Sequence, residues 1–191
     1  MRAPEVQVFE IRPARLSDRD GVAEMVRQRE QWMRARALPC SGDADVSLGA
    51  QVGDPAFPTW VLVEDGTIVG STTVFAESPA WCFTELERSQ PAVFLASTFT
   101  MPTDNKRLGR LIASWSLNHA FHTGRSWVRR STFEEQLMRY YRDEQGWTLV
   151  REVERRSHTA YVMARHAEPQ TDLATAGRFS LSTGDAHTHV T

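Results

Sequence analysis

The chain has 191 residues, 41% of them hydrophobic and 24% charged, the make-up of one globular domain with a sizeable core. A formal net charge of -2 gives no general electrostatic reason to expect nucleic acid as a partner, and no window approaches the roughly 18 apolar residues of a membrane span. The opening MRAPEVQVFEIRPARL lacks the apolar run of a signal peptide, and Cys40 and Cys82 stand far apart without CxxC spacing, so neither a zinc site nor a disulfide framework is indicated and a reducing cytoplasm is the expected setting.

In chain order, VQVFEIRPA alternates apolar and polar residues and predicts a half-buried first strand. Ser17 or Asp18 can cap a helix running to about Ala37, with Val22, Met25, Val26 and Met33 at helical spacing and RQREQWMRAR as its charged face. Residues 38–58 carry Pro39, Gly42, Gly49, Gly53 and Pro55 and read as a long loop with room for a helical turn. TWVLVEDGTIVGSTTVFAES is a hairpin, because two β-rich runs flank Asp65-Gly66, a dipeptide suited to a tight primed turn. PAWCFTELERSQP is irregular, and its Trp81 and Phe83 either pack or wall a pocket.

AVFLASTFTM then makes a strand, Lys106 to Thr123 a helix, Gly124 a stop and RSWVRRSTF a strand. This crossover unit predicts that the two strands are parallel neighbours. EEQLMRYYRDEQG is a shorter helix ended by Gly146, followed by strands in WTLVREVERR and HTAYVMARHA. The rest, from residue 168 to 191, has scattered apolar residues and no period and reads as a flexible tail.

The turn TDNKRLGRL between the fourth strand and the crossover helix has the chemistry of an anion site. The first amides of a helix have no helical partner and the dipole favours negative charge there. Gly109 permits close approach of the backbone, and Lys106, Arg107 and Arg110 can add charge-assisted bonds. A Rossmann site is a poorer reading, since the full G-x-G-x-x-G is absent.

With this order of elements and a polar turn after the fourth strand, the stretch from Gln7 to Ala167 resembles the GNAT superfamily of acyl-coenzyme A dependent N-acyltransferases. The resemblance implies one α/β (α+β) domain over residues 5–167, with a mixed, mostly antiparallel sheet flanked by helices. It also implies acetyl-coenzyme A as co-substrate, with no metal. The family's [QR]-x-x-G-x-[GA] turn, set with its last position on Gly109, has Asp104 and Arg107 at the other two places. By this resemblance the coenzyme is held at Asn105, Lys106, Arg107, Leu108, Gly109 and Arg110, and a backbone amide near Phe99, Thr100 and Met101 meets the thioester oxygen. The partner strand diverges there in the resembling fold and opens a slot for the pantetheine arm.

RYYRDEQGW is similar to the family's late helix with an aromatic ahead of a Gly-aromatic pair, which makes Tyr141, with Tyr140 as the alternative, the acid that protonates the departing thiolate. Counting seven back gives Glu134 where the family often has Asn. The fourth strand contains no carboxylate, so the base that frees the acceptor ammonium is left open among Glu64, Glu77, Glu85 and Glu134 through water, or no base at all. His119 and His122 stand at i and i+3, but spacing places no further metal ligand beside them, and His187 and His189 read as solvated.

The expected activity is acetyl transfer to a primary amine of a small molecule or peptide by direct attack. The alternatives are an inactive acyl-coenzyme A sensor of the same fold, and an interaction module without coenzyme. Neither nucleic acid nor membrane is an expected partner, and a homodimer is compatible with the sequence. Trp32, Trp60, Trp81 and residues 38–58 are the candidates for shaping the acceptor pocket.

Overall fold

The computed structural model describes residues 8–40, 42–103, 107–171 and 178–181. Strands β1 (Val8–Pro13), β2 (Thr59–Glu64), β3 (Thr67–Phe75), β4 (Ala92–Thr100), β5 (Trp127–Thr132), β6 (Thr148–Arg155), β7 (His158–His166) and β8 (Arg178–Leu181) form one sheet in the order β6-β7-β5-β4-β3-β2-β1-β8. Among the described residues all neighbours are antiparallel except β4 with β5 and β1 with β8. The mixed, mostly antiparallel sheet expected from the sequence is present, and within the segment read as a tail Arg178–Leu181 forms a strand.

Helices α1 (Arg19–Arg34), α2 (Ala44–Gln51), α3 (Glu85–Arg88), α4 (Leu108–His122) and α5 (Glu135–Gln145) cover both faces of this sheet. Alternation along β2 assigns the faces. Leu62 joins Phe9, Ile11 and Leu95 beneath α4 and α5, with Trp115, Leu117, Met138 and Trp147 in the same cluster. Val61 and Val63 point the other way, onto Val22, Met25 and Val26 of α1 and Leu48 of α2. Trp115 and Trp147 are among the largest fully buried side chains, and truncation of such a residue to alanine costs about 3–5 kcal/mol.

The hairpin turn has Asp65 at φ 47 and Gly66 at φ 82, the pair of positive angles that a primed turn needs. Gly146 ends α5 at φ 70, the left-handed position glycine reaches without a Cβ penalty. Two local expectations are corrected. Helix α1 stops at Arg34, short of the expected end at about Ala37, and Asp18 holds its N-cap position but makes no side-chain capping bond. The Asp18 carboxylate accepts from the Arg15 amide at 2.7 Å and from both terminal nitrogens of Arg12, and that guanidinium holds its pKa below the ordinary aspartate value. The loop over residues 38–58 contains the two-turn helix α2, whose Leu48 and Val52 are buried against α1 and β2.

Candidate active site

The site begins where two parallel strands part. The β4–β5 ladder runs from Ala92↔Trp127 to Leu95↔Arg130 and stops, although β4 continues to Thr100 and β5 to Thr132. A bulge accompanies the parting. Thr73 faces Ala96 and Ser71 faces Phe99, so Thr72 is opposite two residues, Ser97 and Thr98, with Ser97 in the left-handed region at φ 50. A bulge sharpens local twist and re-aims the residues beyond it. The Thr72 hydroxyl fastens this one, at 2.8 Å from the Thr98 hydroxyl and 3.4 Å from the Ala96 carbonyl.

Past the bulge the amides of β4 alternate in direction. The Met101 amide donates to the Val69 carbonyl at 2.8 Å, so the amide of Thr100 points to the opposite side, where β5 has left. Of the amides near Phe99 to Met101 expected to meet the thioester oxygen, that of Met101 is bonded to Val69 and that of Thr100 is directed at the opening.

The opening is part of a cleft of about 680 Å³ that reaches elements on both faces of the sheet. Thr98, Phe99, Thr100 and Met101 form its β4 wall. Arg107, Leu108 and Gly109 stand at the α4 entrance, and Leu137, Tyr140, Tyr141 and Gln145 come from α5. Helix α1 supplies Arg29 and Met33 from the opposite face. Among the described lining residues there is no Asp or Glu.

The α4 entrance fits a pyrophosphate. Leu108 and Gly109 are the first residues of the helix, so their amides have no carbonyl one helical turn behind them within it. A Cβ added at Gly109 would meet nothing within 4 Å. The glycine is therefore demanded neither by packing nor by a positive φ; its missing side chain leaves room in front of the backbone. Arg110 is exposed and lines a separate pocket of about 270 Å³ with Ser114, Glu144 and Arg165. Asn105 and Lys106 lie outside the described residues.

Tyr141 and Tyr140 occupy different environments. Tyr141 is buried and Tyr140 is 38% exposed, as expected for neighbours about 100° apart on a helix whose inward positions are Met138, Tyr141 and Gln145. The Tyr141 hydroxyl accepts a hydrogen bond from Nη2 of Arg130 at 2.7 Å, and the guanidinium carbon lies 3.6 Å from the Tyr141 ring centroid and 5.2 Å from that of Trp147. A guanidinium only donates, so the phenol oxygen is the acceptor and its own O–H is left to point elsewhere.

Arg130 is 6% exposed. Its Nε is buried without a hydrogen-bond partner, as is Nε2 of Gln145. Burial pushes the guanidinium below its ordinary pKa, and no carboxylate pairs with it among the described residues. The sequence reading missed Arg130, Arg29 and Gln145. The available signal was a pair of arginines inside WVRRST, a strand in a buried crossover unit, where a charge needs a reason.

None of Glu64, Glu77, Glu85 and Glu134 lines the cleft. His119 lies with its ring 5.0 Å from both Trp115 and Trp60, and its burial lowers its pKa. His122 is exposed, and no group of three or more His, Cys, Asp and Glu is placed to hold a metal among the described residues. Phe83 packs in a core cluster with Cys82, Phe94 and Val162, where burial pushes the Cys82 thiol up to about 12. Trp81 lies under Arg155 at 4.2 Å.

No protein-family model matches the chain, and no curated protein does. Solved structures do match it. A GNAT-family acetyltransferase from Listeria monocytogenes superposes with a TM-score of 0.65 at 12% identity over 87% of this chain and 98% of its own. The chain has the fold of the GNAT acetyltransferases. An aminoglycoside 6'-acetyltransferase of type Ii gives a TM-score of 0.59 at 12% identity, covering 84% of this chain and 98% of its own. The protein yncA of Salmonella typhimurium, solved with its cofactor acetyl-CoA, gives 0.50 at 16% identity over 85% and 96%. At these identities the likeness is one of fold. No helix among the described residues is long and apolar enough to cross a membrane.

Proposed function

We propose that the protein is an N-acetyltransferase that moves an acetyl group from acetyl-coenzyme A to a primary amine of a small molecule or peptide by direct attack. The observation that carries this reading is the parting of β4 and β5 between the open α4 entrance and Tyr141. The solved relative with acetyl-CoA supports the choice of donor.

In this reading the Leu108 and Gly109 amides, with Arg107 beside them, bind the pyrophosphate. The Thr100 amide faces the thioester oxygen and stabilises the negative charge that grows there. The acceptor nitrogen bonds to the carbonyl carbon, the carbon–sulfur bond breaks, and the sulfur takes the proton of the Tyr141 hydroxyl. Arg130 keeps the phenol oxygen in place and offsets the charge left on it. The proton lost by the amine passes to solvent, and solvent restores the phenol. The products are an amide and free coenzyme A.

A second reading, an acyl-coenzyme A sensor with no turnover, is favoured by one observation, the lack of a carboxylate among the described cleft residues. Thiol release with a panel of amines decides between the two. Acetyl-coenzyme A binding with release of thiol supports the enzyme, binding without release supports the sensor, and no binding at millimolar ligand removes both.

A further inference from the structure

The described lining of the cleft has three arginines, and two have evident tasks in the proposed reaction. Arg107 stands at the α4 entrance beside the amides that fit a pyrophosphate. Arg130 is bonded to the Tyr141 hydroxyl. Arg29 is the third. It projects from α1, on the face of the sheet opposite α4 and α5, together with Met33 one turn later.

Two other arginines of α1 have carboxylate partners. Arg27 contacts Glu24 and Asp45, and Arg34 lies 3.1 Å from Glu30. Arg29 has no ion pair among the described residues. Its guanidinium rests on the Trp32 ring at 4.6 Å, a ring that Arg36 covers at 4.1 Å. It is half-buried, and burial lowers its pKa, with the nearby Tyr141 acting in the opposite direction. A cation kept partly out of water without a counter-charge costs stability. It stands at the wall of the cleft away from the α4 entrance and within electrostatic range of Tyr141.

We infer that the acceptor amine carries a carboxylate or a similar anionic group and that Arg29 binds it. The inference rests on the acetyltransferase reading above and names its substrate class. A polycationic acceptor would meet Arg29 and Arg130 and be repelled, whereas an α-amino acid presents its carboxylate to Arg29 and its nitrogen to the opening between β4 and β5. The same charges bear on the missing base. The titratable groups lining the cleft, among the described residues, are Arg29 from α1, Arg107 at the α4 entrance, Arg130 from β5 and the phenols of Tyr140 and Tyr141; the β4 wall contributes no titratable side chain. Positive neighbours favour the neutral form of an ammonium, so the free amine is reached at lower pH than in water.

The test compares α-amino acids with their carboxamides, and with a polycationic aminoglycoside, as ligands of the wild-type protein and of Arg29→Met and Arg29→Gln, by calorimetry with coenzyme A present and by thiol release. The wild type should bind the acid about 10- to 100-fold more tightly than the amide, the range of a hydrogen bond between charged groups. Both variants should bring that ratio close to one while acetyl-coenzyme A affinity is retained. The inference is overturned if acid and amide bind alike, if the aminoglycoside binds best, or if the preference for the acid survives in both variants. Failure of the acetyltransferase reading shows separately, as absence of acetyl-coenzyme A binding or of thiol release whatever the amine.

Discussion

Arg129 and Arg130 are neighbours on β5, yet they point to opposite faces of the sheet and live in different chemistry. Arg129 donates to the Ser78 hydroxyl at 3.0 Å, the Glu87 carbonyl at 2.8 Å and the Gln90 side-chain carbonyl at 2.8 Å, and lies 4.8 Å from the Phe83 ring. Arg130 has one protein bond, to Tyr141, and a buried Nε with none. The first arginine ties residues 78–90 to the sheet and leaves few donors unspent. The second is an incompletely satisfied charge beside a phenol in a cleft. Two buried arginines side by side therefore differ in satisfaction: Arg129 is bonded to three groups of the fold, and Arg130 is the one that the proposed reaction uses.

The largest effect expected from this contrast is on the Arg130 side. Tyr141→Phe keeps the ring but removes the proton, so thiol release should fall by roughly 10² to 10⁴ with acetyl-coenzyme A affinity little changed. Tyr140→Phe is the control, and a loss confined to it would assign the acid to the exposed tyrosine. Next comes Arg129→Met, which strands the buried Ser78 hydroxyl and the half-buried Glu87 carbonyl and should cost about 2–3 kcal/mol in denaturant unfolding. Arg130→Met removes a charge that is poorly paired, and stability should stay within about 1 kcal/mol of wild type while thiol release drops at least about tenfold. Equal destabilisation by the two substitutions would break the comparison.

The smallest effect belongs to the charge network under Arg129. Arg151 forms a two-pronged ion pair with Glu87, at 2.8 and 2.5 Å, and its hydrogen bonds, with those of Thr84, hold the Glu87 carboxyl at about 2 against an ordinary 4.5. The folded state thus binds the proton more weakly than the unfolded chain. The stability this supplies is complete above pH 4.5 and is lost as pH falls towards 2. Chemical denaturation across that window should show a shallower acid slope in Arg151→Met than in wild type.

What was legible in the sequence is what local chemistry dictates. Asp65-Gly66 announces its turn, Gly124 and Gly146 end their helices, and a strand, helix, strand series forces the parallel pairing of β4 with β5. Less legible were features that depend on distant neighbours. Ser97 adopts a positive φ with no glycine to advertise it, and the opening follows from where the β4–β5 ladder ends. Alternation says that Arg129 and Arg130 face opposite ways, but which side holds Ser78 and which holds Tyr141 is settled by chain segments 51 and 11 residues away. Arg29 looked like part of a solvated stripe because its position along α1 does not reveal that β4 and β5 part opposite it. Helix α2 was hidden by its brevity and by Gly49 within it.

The most direct test of the central claim, that the α4 entrance and the opening between β4 and β5 receive acetyl-coenzyme A, is the melting temperature with and without that ligand in wild type and in Gly109→Val. At about 100 times its dissociation constant the ligand should stabilise the wild type by roughly 2.7 kcal/mol. A valine side chain fills the space now open before the backbone of residue 109 and should abolish the shift while leaving the ligand-free melting temperature close to that of wild type, because valine is no poorer a helix former than glycine and its Cβ meets no clash. A wild-type protein that melts at the same temperature with millimolar acetyl-coenzyme A, or a Gly109→Val variant stabilised as strongly as wild type, would contradict the account.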